Sequence, residues 1–232
     1  MPVTPGAAQD QESQELGHEI TRDVCCRDRG AARNEVAYRG EYPSQSGGVS
    51  DYTYVLARAL AEAGDYVHVW TCTDDGTIPQ IERVEVHRLG GNFGVRWLTR
   101  LHRGLRRYPD PCTVLIQYVP HMYGWKAMNI AFCAWLAIQR KYNTWVMFHE
   151  VTFPLRWGQP WKHALLAVVH RLMAWSIPRL VKQSFTSNQF YLDLLRLLAP
   201  PDASIDLLRI FSNISHGASR PRGTSRNGGR RS

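Results

Sequence analysis

The chain has 232 residues, is 44% hydrophobic and 11% aromatic, and carries a formal net charge of +8. This composition excludes a largely disordered chain, and the length allows one large domain or two small ones. Five arginines and no acidic residue lie within 216–232, so much of the positive charge belongs to this tail. A nucleic-acid partner is therefore disfavoured, because the rest of the chain is only weakly basic, and nucleic-acid binding through the arginine tail stays a further alternative.

Cysteine usage and hydropathy indicate the compartment. The five cysteines are odd in number and form no CxxC motif, which argues against a disulfide framework and favours a reducing environment. The N-terminus lacks the basic and apolar pattern of a signal peptide. The longest apolar run, 128–138, is shorter than the roughly 20 residues that span a bilayer. We expect a cytoplasmic protein, with peripheral attachment to the inner face of the membrane as an open alternative.

Composition divides the chain into three parts. Residues 1–34 are polar without a hydrophobic period, and residues 215–232 are rich in arginine, serine and glycine. Both segments are predicted to be disordered. Residues 35–214 have the length and apolar content of one compact domain.

The central part alternates strand and helix patterns in chain order. The predicted strands are 35–41, 66–71, 83–89, 113–119, 144–149, 182–187 and 205–210, and the predicted helices are 49–63, 95–107, 124–141, 161–176 and 190–198. Strands that alternate with helices of about ten or more residues indicate crossover units. The predicted class is α/β, with a doubly wound, mostly parallel, Rossmann-like sheet.

In such a sheet, ligands bind at the carboxyl ends of the strands. Gly47 and Gly48 follow the first predicted strand and open the first helix. Their backbone amides, together with the helix dipole, are suited to a phosphate group. A plain turn is the alternative, because neither GxGxxG nor GxxxxGK[ST] is present.

His149 and Glu150 end another predicted strand, in MFHEVTFP. A histidine at this edge can hydrogen-bond a sugar hydroxyl or a carbonyl, and its ordinary pKa lies near neutrality. A zinc-binding HExxH motif is excluded, because Phe153 stands where the second histidine would be. The alternative is a strand-end histidine satisfied by backbone groups.

Two further regions carry candidate functional side chains. Tyr118 and His121 lie in QYVPHMYG after a buried strand, where they either line an acceptor pocket or pack as a loop. The predicted helix 95–107 is basic and amphipathic, so it either lies on an anionic membrane or is an ordinary surface helix. His68 and His87 lie inside strands and are interpreted as structural, and no metal-ligand cluster is predicted.

Together these stretches resemble a known family. GGVSDYTYVLARALAEAGDYVHVWT resembles the start of family-four retaining glycosyltransferases of the GT-B fold, with a glycine pair, a helix and a strand. VLIQYVPHMYG, WVMFHEVTFP and KQSFTSNQF look like later elements of the same N-terminal domain. The resemblance covers roughly residues 36–214.

The resemblance implies a function. Enzymes of this family transfer a sugar from a nucleotide-sugar donor to an acceptor between two Rossmann-like domains. Gly47 and Gly48 would then lie near the donor diphosphate, and His149 would be the catalytic-site histidine that hydrogen-bonds the transferred sugar. Tyr118, His121 and Glu150 would face a carbohydrate or lipid-linked acceptor. The resemblance implies no metal and no cofactor beyond the donor.

The chain departs from the family pattern at both ends. The donor-binding second domain, with its E-x7-E motif, has no counterpart after Ile214, and NEVAYRGEYP is a poor first strand. We expect a truncated or frame-shifted chain that is inactive alone, unless a separate chain supplies the second domain. The alternative is a non-catalytic module that binds an acceptor, a lipid or a protein.

Overall fold

The structure, a computed structural model, describes residues 35–39, 48–72, 78, 80–91, 93–108, 112–120, 128–140, 142–152 and 157–208, with backbone alone for the first range. Both terminal segments that are predicted to be disordered lie outside these residues, as do Gly47 and His121.

Seven strands and five helices form the described part. The strands are β1 (Glu35–Arg39), β2 (Tyr66–Thr71), β3 (Val84–Arg88), β4 (Cys112–Tyr118), β5 (Asn143–Phe148), β6 (Gln183–Thr186) and β7 (Ile205–Leu207). The helices are α1 (Gly48–Glu62), α2 (Val95–Leu105), α3 (Ile130–Ile138), α4 (Trp161–Leu180) and α5 (Gln189–Leu198). Each corresponds to an element that the sequence predicts.

All seven strands form one parallel sheet in the order β3-β2-β1-β4-β5-β6-β7. The chain starts in the middle, runs outward to β3, and returns to build the other half from β4. The predicted doubly wound α/β class is confirmed. The direction of winding reverses between β1 and β4, which is where a sheet of this kind opens a crevice for ligands.

The two faces of the sheet carry separate apolar cores. On one face, α1 packs Tyr52 and Leu56 against Val69 and its neighbours. On the other face, the core includes Leu101 of α2 and Ile116 of β4, together with side chains of α3, α4 and α5. Right-handed crossovers dictate this split, because outward and returning connections cover opposite faces.

Local signals set the end of α1 as predicted. Gly64 has a φ of +104°, which is favourable for glycine and costly for other residues. Its N–H donates to Ala61 O at 3.0 Å, and the N–H of Asp65 donates to Leu60 O at 3.0 Å. These two bonds are those of a Schellman motif, so the helix ends where the glycine stands.

Two helices have ends that differ from the predicted ones. The helix predicted over 124–141 begins at Ile130, because the Asn129 side chain caps it by accepting from the N–H of Phe132. Residues 121–127 lie outside the described part. Helix α4 continues past 176 to Leu180 and includes Pro178. Burial of Ile177 and Pro178 in the last turn outweighs the tendency of proline to end a helix.

None of the described helices is both long enough and apolar enough to cross a bilayer.

Candidate functional site

The candidate site lies at the carboxyl edge of the sheet, where β4 and β5 end beside the start of α1. His149 follows β5 directly, and its backbone N–H donates to Tyr118 O at 3.0 Å. This bond extends the β4–β5 ladder by one step and fixes the position of His149. The direction of winding reverses between β1 and β4, next to this position, and a sheet of this kind binds ligands at such a reversal.

The His149 ring is held by two neighbours. Its Nε2 lies 2.6 Å from Gln117 Oε1 on β4, and its ring meets the Tyr52 ring edge-on, with centroids 5.3 Å apart and planes at 77°. Gln117 and Tyr52 are themselves buried. Because the amide oxygen can only accept, the ring nitrogen that faces it must donate. With the Gln117 amide in this orientation, the proton is on Nε2 and the Nδ1 lone pair is an acceptor.

The acid–base state of His149 differs from its ordinary one. Burial lowers its pKa from 6.5 to about 4, because the interior disfavours the charged imidazolium. The sequence predicts a histidine that titrates near neutrality, and this is wrong for the free protein. At neutral pH the side chain is an uncharged hydrogen-bonding group.

The start of α1 leaves room for a ligand group. Gly48 is exposed, and a Cβ added to it would meet nothing within 4 Å. Gly47 lies outside the described residues, so the phosphate interpretation depends on Gly48 and the helix N-terminus. Ser50, in the first turn, is fully buried, and its Oγ has no hydrogen-bond partner among the described residues.

The predicted acceptor-side residues have different positions. Tyr118 is fully buried, with its ring 4.9 Å from that of Phe148 and 6.4 Å from that of Phe132, on the sheet face away from Tyr52. This burial argues against direct contact between Tyr118 and an acceptor. Glu150 is exposed beside His149. His121 lies outside the described residues, so its role stays a prediction.

The basic helix α2 presents its arginines to solvent and its larger apolar side chains to the sheet. The tryptophan and three leucines of α2 are buried against the sheet, and Arg100 of the same helix donates to Leu89 O at 2.6 Å. Since Val95 alone among the apolar side chains of α2 is exposed, the ordinary surface helix is the better interpretation.

Helix α4 carries an exposed apolar stripe that the sequence analysis did not identify. The stripe consists of Trp161, Leu165, Val168, Leu172 and Trp175, which are 45–70% exposed. Their spacing of four, three, four and three residues places them on one side of the helix. The signal was present in the sequence, because α4 is apolar on two sides whereas packing on a sheet requires one.

The structure also brings together His68, Glu85 and His87, which were not connected with one another in the sequence. In the β2–β3 register, His68 pairs with Glu85 and Trp70 pairs with His87, so all three side chains lie on one face. Their potential ligand atoms lie within 4.8 Å of one another, an arrangement that could hold a metal ion. This arrangement was not foreseen in the sequence analysis, which predicts no metal-ligand cluster. Burial also lowers the pKa of His87, although Glu85 opposes the shift.

Comparisons with known proteins agree with this architecture. Residues 47–208 match the family described as glycosyl transferase 4-like domain. The fold is similar to that of sucrose-phosphate synthase from Thermosynechococcus elongatus, with a TM-score of 0.54 and 13% identity over 78% of this chain and 49% of that chain. This chain thus spans about half of that solved structure. No curated protein matches the sequence.

Proposed function

We propose that this chain, which belongs to the glycosyl transferase 4-like domain family, is the acceptor-binding half of a retaining glycosyltransferase. Such an enzyme transfers a sugar from a nucleotide-sugar donor to a hydroxyl of a carbohydrate or lipid-linked acceptor. The observation that carries the proposal is the position of His149, whose ring lies beside the start of α1 at the winding reversal of the sheet. Retention and the choice of donor are inferred from the resemblance.

In this proposal, His149 is a neutral hydrogen-bonding group for the transferred sugar. Its Nε2 proton is directed to Gln117 Oε1 at 2.6 Å, so Nδ1 accepts from a sugar hydroxyl. The bond to Gln117 and the edge contact with Tyr52 keep the ring in place before the substrate arrives. A group that is already oriented loses little entropy on binding, which is how such residues contribute to transfer.

The start of α1 is proposed to hold the donor diphosphate. Backbone N–H groups at a helix N-terminus attract anions, and the open space at Gly48 allows close approach. The buried hydroxyl of Ser50 is a further donor in the first turn. Together with Gly47, these groups would neutralise part of the charge that develops on the leaving diphosphate.

One wall of the crevice comes from this domain. In the family, the second domain contributes the sugar- and ribose-binding glutamates, so most of the donor affinity should come from that domain. We therefore expect the 232-residue chain to bind nucleotide sugars weakly and to require a second domain, in the same or another chain, for transfer. Water in an open crevice weakens each polar contact that the donor makes.

The proposal is tested by sugar transfer with a nucleotide-sugar-binding domain of the same family added to the chain. The His149→Asn variant should lower transfer about 100-fold, a typical loss when a hydrogen bond to the reacting group is removed. His163→Gln is the matched control, because His163 is exposed on α4. Equal activity of the His149 variant and the parent would contradict the catalytic role. If the chain binds an acceptor but no combination of donor, acceptor and added domain gives transfer, the alternative of a non-catalytic binding module would be favoured.

A lipid-linked acceptor is favoured by the stripe on α4. Two tryptophans stand at its ends, and Arg179 lies over the Trp175 ring at 3.7 Å from its centroid. Helix α4 has no acidic residue, whereas Lys162 and Arg179 are exposed. Aromatic ends, an apolar side and flanking cations are the properties of a helix that lies at an anionic membrane surface. We propose this helix, and not α2, as the membrane-facing element.

Vesicle binding tests the membrane-facing role. Leu172→Glu should lower binding to vesicles that contain anionic lipid by about tenfold or more, because a charge replaces an apolar side chain that membrane contact would bury. Leu197→Glu on α5 is the matched control, since Leu197 is 81% exposed but lies outside the stripe. Co-sedimentation with anionic and with neutral vesicles measures both variants. Identical binding of the two variants would rule out α4 as the membrane contact.

A further inference from the structure

A cluster of two histidines and a glutamate lies on the edge strand pair β2–β3, on the sheet face that α2 covers. We propose that His68, Glu85 and His87 form a Zn²⁺ site that fastens the edge strand β3 to β2. The proposal is independent of the glycosyltransferase assignment, because these residues lie on the sheet face opposite to Tyr52 and His149.

Strand register makes the cluster. His68 and Glu85 are directly paired across the two strands, and His87 follows two residues along the same strand. Side chains two residues apart on a strand point to the same side. One imidazole and one carboxylate therefore stand opposite each other, with the second imidazole diagonal to the first.

Two of the distances between potential ligand atoms fit a tetrahedral zinc site, and Glu85 Oε1 lies 3.7 Å from His87 Nδ1. His68 Nδ1 lies 3.2 Å from His87 Nε2 and 3.3 Å from Glu85 Oε2. Zinc binds nitrogen and oxygen ligands at about 2.0–2.2 Å in a tetrahedron, which places neighbouring ligand atoms roughly 3.4 Å apart. Glu85 is 64% exposed in its side chain, so it can adjust to complete the arrangement.

The two imidazoles are held in place by aromatic packing. His68 lies against Tyr108 at 4.1 Å between ring centroids, and His87 stacks on Trp70 at 4.1 Å and 18°. Both histidines are largely buried in their side chains, at 12% and 20% exposure. Oriented rings that border an exposed carboxylate give a site with little reorganisation and an open side for ion entry.

The hydrogen bonds of the cluster can also be satisfied without a metal. His68 Nδ1–H can donate to Glu85 Oε2 at 3.3 Å while the Tyr108 hydroxyl donates to His87 Nε2 at 3.2 Å. In the zinc-bound form, the two imidazoles and the carboxylate would be the ligands, with the Tyr108 hydroxyl or a water beside the fourth position.

Calorimetric titration of the full chain with Zn²⁺ tests the site. Because Cys25 and Cys26 are adjacent in the sequence and thiolates are potential zinc ligands, the titration is done in a Cys25→Ser, Cys26→Ser background. We expect one Zn²⁺ per chain. The affinity should fall more than about tenfold in Glu85→Gln and further in His87→Asn, whereas the control His163→Gln leaves it unchanged.

Cobalt substitution provides a second readout, which would show no signal if these side chains only packed against one another without a metal. Co²⁺ bound at this site should show tetrahedral absorption without a sulfur-to-metal band, and the absorption should disappear in His87→Asn. Circular dichroism confirms that each variant is folded, and Glu85→Gln, at an exposed position, preserves the fold if His87→Asn does not. Equal zinc affinity in Glu85→Gln and the parent, or no zinc binding in the Cys25→Ser, Cys26→Ser background, would overturn the proposal.

Discussion

Between pH 6.5 and pH 4, the free energy of unfolding should fall by up to about 3 kcal/mol because of His149. Burial lowers the pKa of His149 to about 4 in the folded chain, whereas the unfolded chain has the ordinary value near 6.5. In this window the unfolded chain binds the proton and the folded chain does not. The stabilisation is thus complete above pH 6.5 and is lost as the pH falls to the folded pKa.

Denaturant unfolding at a series of pH values measures this effect. The His149→Asn variant should have lower stability at pH 7 but a weaker dependence on pH across the same window. NMR titration of the histidine rings gives the pKa of His149 directly. A His149 pKa at or above 6.5 would contradict the geometry of the site, and with it the neutral hydrogen-bonding role.

Gly104→Ala is the second substitution with a large expected effect. Gly104 lies on the buried side of α2, and a Cβ there would overlap the Trp70 ring. Trp70 is itself 5% exposed and stacks on His87, so the ring has little room to move. We expect a net loss of about 1–3 kcal/mol from overpacking, although alanine alone favours a helix by about 1 kcal/mol.

Two variants make this prediction specific. Trp70→Leu combined with Gly104→Ala should recover part of the loss, since the smaller side chain removes the overlap. Gly48→Ala, which meets nothing within 4 Å, should change the unfolding free energy by less than about 0.5 kcal/mol. A Gly104→Ala protein as stable as the parent in urea would show that Trp70 moves freely and that the β2–α2 contact is looser than described.

The strands and the doubly wound class were predicted from the sequence. Alternation in 66–71 and the apolar runs of β4 and β5 depend on backbone periods, and crossover handedness then fixes the faces. The end of helix α1 before Gly64 was also predictable, because it depends on the glycine itself. The start of α3 was missed because the apolar run continues through Met128, while the Asn129 side chain caps the helix.

The properties that depend on register or burial were out of reach. His149 has a low pKa because Tyr52 and Gln117, distant in sequence, enclose it. Likewise, the pairing of His68 with Glu85 follows from how β3 aligns on β2. A sequence pattern states which side a residue faces within one strand, but not which residue faces it from the next strand.

The central claim is that the crevice at the carboxyl edge of the sheet binds a nucleotide sugar. Its most direct measurement is amide NMR of the isotopically labelled chain, titrated with millimolar UDP-, GDP- and ADP-linked sugars. The account predicts weak, saturable shifts with at least one donor, centred on Gly48, Tyr52 and His149 and absent from His68 and His87. The absence of shifts with all of the donors, or shifts confined to the face with His68 and His87, would contradict it.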